Sequence, residues 1–172
     1  LGGKVLVMKV LVTGATGHIG NVLVRSLLKN GYDVTAFVRN KEKLNALDGL
    51  SVSFAYGDVR DIESLKMAFK SIDVVFHLAG LIDIGNGNKK QMYEVNVNGT
   101  KNVVNACKEM NVKKLIYTSS VHAIPTKPKG EIITETKTFS PDLVKGTYAK
   151  TKAEATKYVL EANSKDLEVI IT

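Results

Sequence analysis

The segment Tyr148-Ala-Lys-Thr-Lys152 sets a phenol and an amine four residues apart. On a helix, positions i and i+4 share a face. That face continues through Ala155 and Val159, both apolar. Lys150, Glu154, Lys157 and Glu161 fall on the opposite side, spaced as two Lys–Glu pairs at i, i+4. Lys152 is therefore expected to point inward, unlike its charged neighbours. An ammonium there lowers the pKa of a nearby phenol from about 10. A tyrosine tuned in this way serves as a general acid or base near neutral pH. Taken alone, the same spacing also arises in ordinary helices. A further source of hydroxyls stands upstream. Residues 113–120, KKLIYTSS, read as a strand ending in Thr118, Ser119 and Ser120. One of these serines could hydrogen-bond a substrate oxygen beside Tyr148, although strand-end serines also simply form turns.

A second pattern concerns backbone rather than side chains. TGATGHIG (13–20) follows the apolar run 10–12 and places Gly14, Gly17 and Gly20 three residues apart. Gly14 lets the chain turn sharply out of a strand, Gly17 lets backbone approach a ligand, and Gly20 lets the next helix pack closely. The helix N-terminus then offers free N–H groups to an anion, and a pyrophosphate suits it. In such a βαβ unit the end of the second strand meets the adenosine ribose. The strand VTAFVRN ends in Arg39, with no acidic residue at Val38, Arg39 or Asn40. Arg39 can grip a 2′-phosphate, with Lys41 and Lys43 nearby, so NADP(H) is favoured and NAD(H) is the second choice.

The elements that must position these groups alternate. Strands are predicted over 9–13, 33–38, 51–56, 73–78, 113–119 and 167–172. Helices are predicted over 17–30, 41–47, 61–70 (with Asp61 as cap), 90–110 and 147–163. Six strands alternating with five helices imply a doubly wound α/β fold: one parallel sheet with helices on both faces. Two long loops, 81–89 and 121–146, follow strand ends, at the edge where such sheets bind ligands.

Length and composition narrow the field. The 172 residues suit one domain, here read as a single dinucleotide-binding unit over 1–172. MKVLVTGATG reads as a natural start, so residues 1–7 are expected to be an upstream extension. No membrane span or secretory signal is read, and a cytoplasmic location is expected. The net charge of +7 comes from scattered lysines without a basic, aromatic-interleaved face, so no nucleic-acid role is expected. One cysteine, Cys107, excludes an internal disulfide, and no metal-ligand spacing occurs. Cys107 and His77 read as core residues. His18 matters through its backbone N–H, and His122 is either a loop histidine or a residue facing the substrate.

The motifs, in order, resemble those of the extended short-chain dehydrogenases/reductases, also called the NAD-dependent epimerase/dehydratase family. TGATGHIG resembles its glycine fingerprint, GDVRD (57–61) its acidic motif, and HLAG (77–80) its fourth-strand ending. NVNGT (96–100), YTSSV (117–121) and YAKTK (148–152) complete the set. The resemblance implies a Rossmann fold and catalysis by Ser, Tyr and Lys with a nicotinamide dinucleotide. Tyr148 would carry the proton, and Lys152 would bind the nicotinamide ribose and tune Tyr148. Ser120 matches the catalytic serine better than the fallback Ser119. The implied cofactor set comprises Gly14, Thr16, Gly17, His18, Ile19 and Gly20 of the turn, with Arg39 and Lys43 after the second strand. Asp58 and Val59 would contact the adenine, Leu78, Ala79 and Gly80 would line the cofactor, and Thr118, Tyr148 and Lys152 would complete the set. Asn96 would be a structural or relay residue. Arg39 resembles the dihydroflavonol-reductase-like branch, whose members reduce ketones and aldehydes with NADP(H).

Three functions follow from this reading. The first is an NADP(H)-dependent reductase of a carbonyl, or dehydrogenase of the alcohol. The second is a nucleotide-sugar epimerase or dehydratase that retains NAD(H). The third is a non-catalytic dinucleotide-sensing regulator. Because the chain stops inside a strand, a C-terminal substrate domain is expected outside it, and the 172 residues alone are expected to turn over poorly. A homodimer is expected by analogy, through 90–110 and 147–163.

Overall fold

The computed structural model of the chain describes residues 7–41, 44–83 and 88–172. Lys43 therefore lies outside the described residues. Six strands form one sheet: β1 (Lys9–Thr13), β2 (Asp33–Val38), β3 (Ser53–Tyr56), β4 (Val74–His77), β5 (Lys114–Tyr117) and β6 (Glu168–Ile171). All pairings are parallel, in the order β3-β2-β1-β4-β5-β6. β1 and β4 lie at the centre, and four of the five β1 residues are buried. A parallel sheet covered on both faces demands such a continuous apolar run.

Helices α1 (His18–Lys29), α2 (Ile62–Phe69), α3 (Lys89–Tyr93), α4 (Gly99–Glu109) and α5 (Thr147–Glu161) cover the sheet. One core unites Leu11, Val75 and Leu115 of the strands with Leu65 of α2, Val103 and Cys107 of α4, and Val159 of α5. The other unites Val10, Val12, Val34 and Ala36 with Val24 and Leu27 of α1. Alternate residues of β1 thus feed opposite cores, as the two-residue period of a strand requires. The Asp61 carboxylate accepts the Glu63 N–H and caps α2, as predicted.

Two predicted helices differ. The helix expected over 41–47 reduces, among the described residues, to a 3-10 turn at Asn45–Leu47 that drops Leu47 into the α1-side core. The helix expected over 90–110 is continuous in space but not in winding. A π-helical segment, Glu94–Asn98, joins α3 to α4. Strand β3 also starts at Ser53 rather than at 51.

The strand order produces a switch point. From β1 the chain builds outward through β2 to β3, then crosses back to place β4 on the other side of β1. The loops leaving β1 and β4 therefore diverge and open a crevice beyond their carboxyl ends, where open α/β sheets take up ligands.

Candidate active site

The turn after β1 enters that crevice. Gly14 has φ +71°, and a Cβ there would lie 2.8 Å from the Leu78 carbonyl carbon and the Ala79 nitrogen. No other residue fits between β1 and the end of β4. A Cβ on Gly20 would collide with the Gly14 carbonyl, so α1 can approach β1 only with glycine at that position. The roles expected of Gly14 and Gly20 are thus visible in the packing. Gly17 is the α1 N-cap and supplies no side-chain oxygen, and the first turn holds no acidic residue. The Gly17 N–H donates to the Gly14 carbonyl at 2.9 Å, the Asn21 amide donates to the Gly17 and His18 carbonyls, and no side chain caps the helix start. A helix start with no side-chain cap and no acid is suited to an external anion.

A groove of about 240 Å³ opens beside this turn. Of the residues expected to hold a cofactor, Gly14, Thr16, Gly17, Arg39, Asp58, Val59, Leu78, Ala79 and Gly80 line it. Neither Thr118, Tyr148 and Lys152 at the end of β5 nor, in the turn, His18, Ile19 and Gly20 line it. Gly20 is buried under the turn and Ile19 is 62 % exposed, so these residues offer backbone at the helix start rather than groove wall. Phe37, Val38, Leu81, Gln91 and Val95 also line the groove. The sequence reading missed these five: the four apolar ones look like core until the topology brings them to the crevice, and Gln91 looks like an ordinary exposed helix residue.

Arg39 is exposed at the end of β2 and borders the groove. Among the described residues the acidic residue of the groove is Asp58, and it is already engaged. Arg60 grips its carboxylate with Nε at 2.9 Å and a terminal nitrogen at 2.7 Å, and the Arg60 backbone N–H adds a third bond at 2.9 Å. The Arg60 hydrogen bond, aided by the Arg39 charge, holds the Asp58 pKa below the usual carboxylate range. Arg60 was not singled out from the sequence. Its spacing of two from Asp58 gives a fork only because the loop after β3 curls back on itself.

The second constellation sits at the end of β5. Lys152 is 6 % exposed, and burial pushes its pKa down to about 8. Its Nζ donates to the Thr118 carbonyl at 2.8 Å and lies 4.4 Å from the centre of the Tyr117 ring. The inward direction inferred from the helix face is correct. The outward pairing is only half so. Lys157 and Glu161 approach to 4.0 Å, but Glu154 leaves Lys150 for α4, where Lys101 reaches it at 3.2 Å, and for the Tyr93 hydroxyl at 2.8 Å.

The two serines separate by their partners. Thr156 donates its hydroxyl proton to the Lys152 carbonyl at 2.6 Å. Ser119, at 2.6 Å from the Thr156 hydroxyl, must then be the donor, and its proton is committed to α5. Ser120 instead opens the next turn, where its Oγ accepts the His122 N–H at 3.2 Å and lies 3.3 Å from His122 Nδ1. The His122 ring meets the Tyr148 ring edge-on at 5.9 Å. His122 thus brings Ser120 and Tyr148 into one neighbourhood. Both serines border a second cavity of about 490 Å³ beyond the ends of β5 and β6, walled by Val121, Ile124, Phe139 and Ile171.

Buried polar residues lock the frame. His77 is fully buried, and burial pushes its pKa down to about 3, with the Lys152 charge assisting. Thr100 donates to the Asn96 carbonyl at 2.7 Å and so accepts from His77 Nε2 at 3.0 Å. His77 Nδ1 then accepts from the Thr13 hydroxyl at 2.7 Å, and Thr13 accepts the Ala79 N–H at 3.2 Å. His77 is a satisfied core residue, as expected. Asn96 lies in the π segment. Its side chain accepts the Leu81 N–H at 2.7 Å, donates to the Leu81 carbonyl at 2.9 Å, and reaches Thr151 of α5 at 3.2 Å. It ties the groove wall after β4 to the helix carrying Tyr148 and Lys152. Cys107 is buried and burial raises its thiol pKa, so it is inert core. The described residues hold no group of three His, Cys, Asp or Glu able to bind a metal, and no described helix is long and apolar enough to cross a membrane.

Two sites at one sheet edge, joined by α5, invite comparison with known proteins. The pattern of the 3-beta hydroxysteroid dehydrogenase/isomerase family matches residues 11–172. The chain belongs to this family. Among curated proteins, sterol demethylase protein B of Methylococcus capsulatus is 38 % identical over 164 residues, covering 95 % of this chain and 50 % of that protein. Cinnamoyl-CoA reductase 1 of Petunia hybrida is 35 % identical, covering 94 % of this chain and 52 % of that one. The chain thus spans about half the length of these relatives. The crystal structure of Thermus thermophilus UDP-glucose 4-epimerase in complex with NAD superposes with a TM-score of 0.80 at 30 % identity, covering 95 % of this chain and 54 % of that one. The Rossmann fold expected from the alternation is therefore that of known family structures.

Proposed function

We propose that this chain is the dinucleotide-binding part of an NADP(H)-dependent oxidoreductase that interconverts a carbonyl and the corresponding alcohol. The observation that carries the reading is the placing of Lys152, buried at the end of β5, one helical turn from Tyr148 and at the same sheet edge as the glycine-turn groove. Between these features the residues fit a dinucleotide. The uncapped start of α1 would hold the pyrophosphate, Asp58 and Val59 the adenine, and Leu78, Ala79 and Gly80 the length of the molecule. Arg39 would hold a 2′-phosphate, and Lys152 the nicotinamide ribose. When bound, the nicotinamide gives or takes a hydride.

The chain's own residues do the rest. Tyr148 donates a proton to the carbonyl oxygen in reduction and takes one from the alcohol in oxidation. Ser120, free of the bond that ties Ser119 to α5, steadies that oxygen. The cavity beyond β5 and β6 receives the substrate, and its far wall would come from the substrate part of the protein, outside these 172 residues. A second reading has an observation of its own. The Thermus relative is an epimerase with NAD, so retained NAD(H) in a nucleotide-sugar epimerase is the alternative.

The test is NADPH oxidation with a panel of ketones and aldehydes, using the whole protein. Tyr148→Phe removes the only proton donor proposed, so kcat should fall by roughly 10²–10⁴-fold. Cofactor affinity should barely change. Lys152→Met should lower both. Retention of most activity by Tyr148→Phe would overturn the role given to Tyr148, whereas cofactor binding with no turnover of any substrate would leave the dinucleotide-sensing regulator as the better reading.

A further inference from the structure

Lys152 carries its charge into the interior with little to answer it. None of the ion pairs among the described residues includes it. Among the described residues its one hydrogen bond goes to the Thr118 carbonyl. The titratable groups around it are His77 of β4, Tyr117 of β5 and, one turn away on α5, Tyr148. His77 is neutral, with both ring nitrogens spent on Thr13 and Thr100. Tyr117 is 1 % exposed, and burial raises its phenol pKa, so no phenolate faces the lysine. What Tyr117 does present is its ring face, 4.4 Å from Nζ. His77 stacks on the same ring at 5.6 Å and 28°, fixing its plane. The hydroxyl is buried beside the Thr100 and Thr156 oxygens, which moderate the rise in its pKa, but among the described residues it makes no hydrogen bond of good geometry.

We infer that Tyr117 is a positioning residue whose aromatic face, not its hydroxyl, keeps the buried Lys152 amine charged and directed at the candidate site. A ring quadrupole attracts a cation most when both are withdrawn from water. The geometry needs only a ring held in plane, which the His77 stack supplies. The consequence for catalysis rests on the proposed role of Lys152, since a lysine that loses its proton too early neither holds a ribose hydroxyl by charge nor acts on Tyr148.

The test follows Lys152 itself and needs no substrate. The protein is labelled at lysine Cε and Nζ, the Lys152 signal is assigned by its loss in Lys152→Arg, and its titration midpoint is read by NMR. Tyr117→Phe should leave the midpoint within a few tenths of a unit and not lower Tm, because the lost hydroxyl was unpaired. Replacing that phenylalanine with its mono-, di- and trifluorinated analogues keeps the shape but drains the ring face, and the midpoint should fall stepwise. Tyr117→Leu should lower it by about one unit. If the leucine variant does not fold, the fluorinated series decides alone. A midpoint unchanged across folded fluorinated variants would overturn the inference. Failure of the proposed catalysis would appear in the Tyr148→Phe rates and leave this titration intact, so the two can fail separately.

Discussion

At the end of β2 a single side chain carries the proposed choice between two cofactors. Arg39 borders the groove, and Asp58, the one acidic residue lining it among the described residues, is clamped by Arg60. Arg39→Asp removes the cation and adds a carboxylate able to accept from a free ribose hydroxyl. Affinity for NADPH should fall roughly tenfold or more, the range of a lost charge-assisted hydrogen bond. Affinity for NADH should rise, and calorimetric titration of both cofactors would check the reversal. His77 supports a prediction about pH. Its folded pKa, about 3, lies below the ordinary value of 6.5. The unfolded chain therefore binds the extra proton between those values, so the stability due to neutral His77 is complete above about 6.5 and is lost as pH falls. From pH 7.5 to 5 the loss should be roughly 2 kcal/mol, at 1.36 kcal/mol per unit below 6.5. Urea unfolding at the two pH values would show it, and His77→Gln, with one donor and one acceptor, should lack that component. Residues whose meaning lies in local spacing, such as Tyr148 with Lys152 or the glycines of the turn, were legible in the sequence. Residues whose meaning lies in a partner 35 positions away were not: nothing in KLIYTSS says that the tyrosine ring lies over Lys152.

Elements with a clear period were also legible, and those without one were not. The alternation of short β-branched runs with amphipathic stretches marks every strand, because burial on both faces demands it. The stretch 89–110 reads as one helix, because no proline marks the π turn at Glu94–Asn98 and Gly99 behind it is the start of α4. That turn exists for a tertiary reason, the pinning of both backbone groups of Leu81 by Asn96, and such irregularities collect at functional sites. The segment 41–47 misled in the opposite sense. Its composition suits a helix, but among its described residues Asn45–Leu47 takes a 3-10 turn, with Leu47 anchored in the core. Packing at the first helix gives the test at this scale. Gly20→Ala must push α1 away from the Gly14 carbonyl. Overpacking of this kind costs about 1–3 kcal/mol, and the shift also displaces the N–H groups proposed to hold the pyrophosphate. Thermal unfolding and cofactor titration should both show a loss. A variant with native Tm but no cofactor binding would separate the two effects.

For the whole molecule, the doubly wound class was legible from alternation, but strand order was not, since no local pattern says that β4 returns to the far side of β1. That crossing makes the crevice and gathers residues 14–17, 37–39, 58–59 and 78–81 at one edge. It also places Lys152 and Tyr148 on the helix that follows β5, at the same edge as the groove. The account therefore stands or falls on a nicotinamide dinucleotide entering at the switch point with its 2′-phosphate on Arg39. The most direct measurement is a titration of the protein with NADPH and with NADH, followed by the fluorescence of the reduced nicotinamide. The account predicts saturable binding of both, with NADPH tighter by roughly tenfold or more, as expected for one charge-assisted contact. NADH binding as tightly as NADPH, or no binding of either, would contradict it.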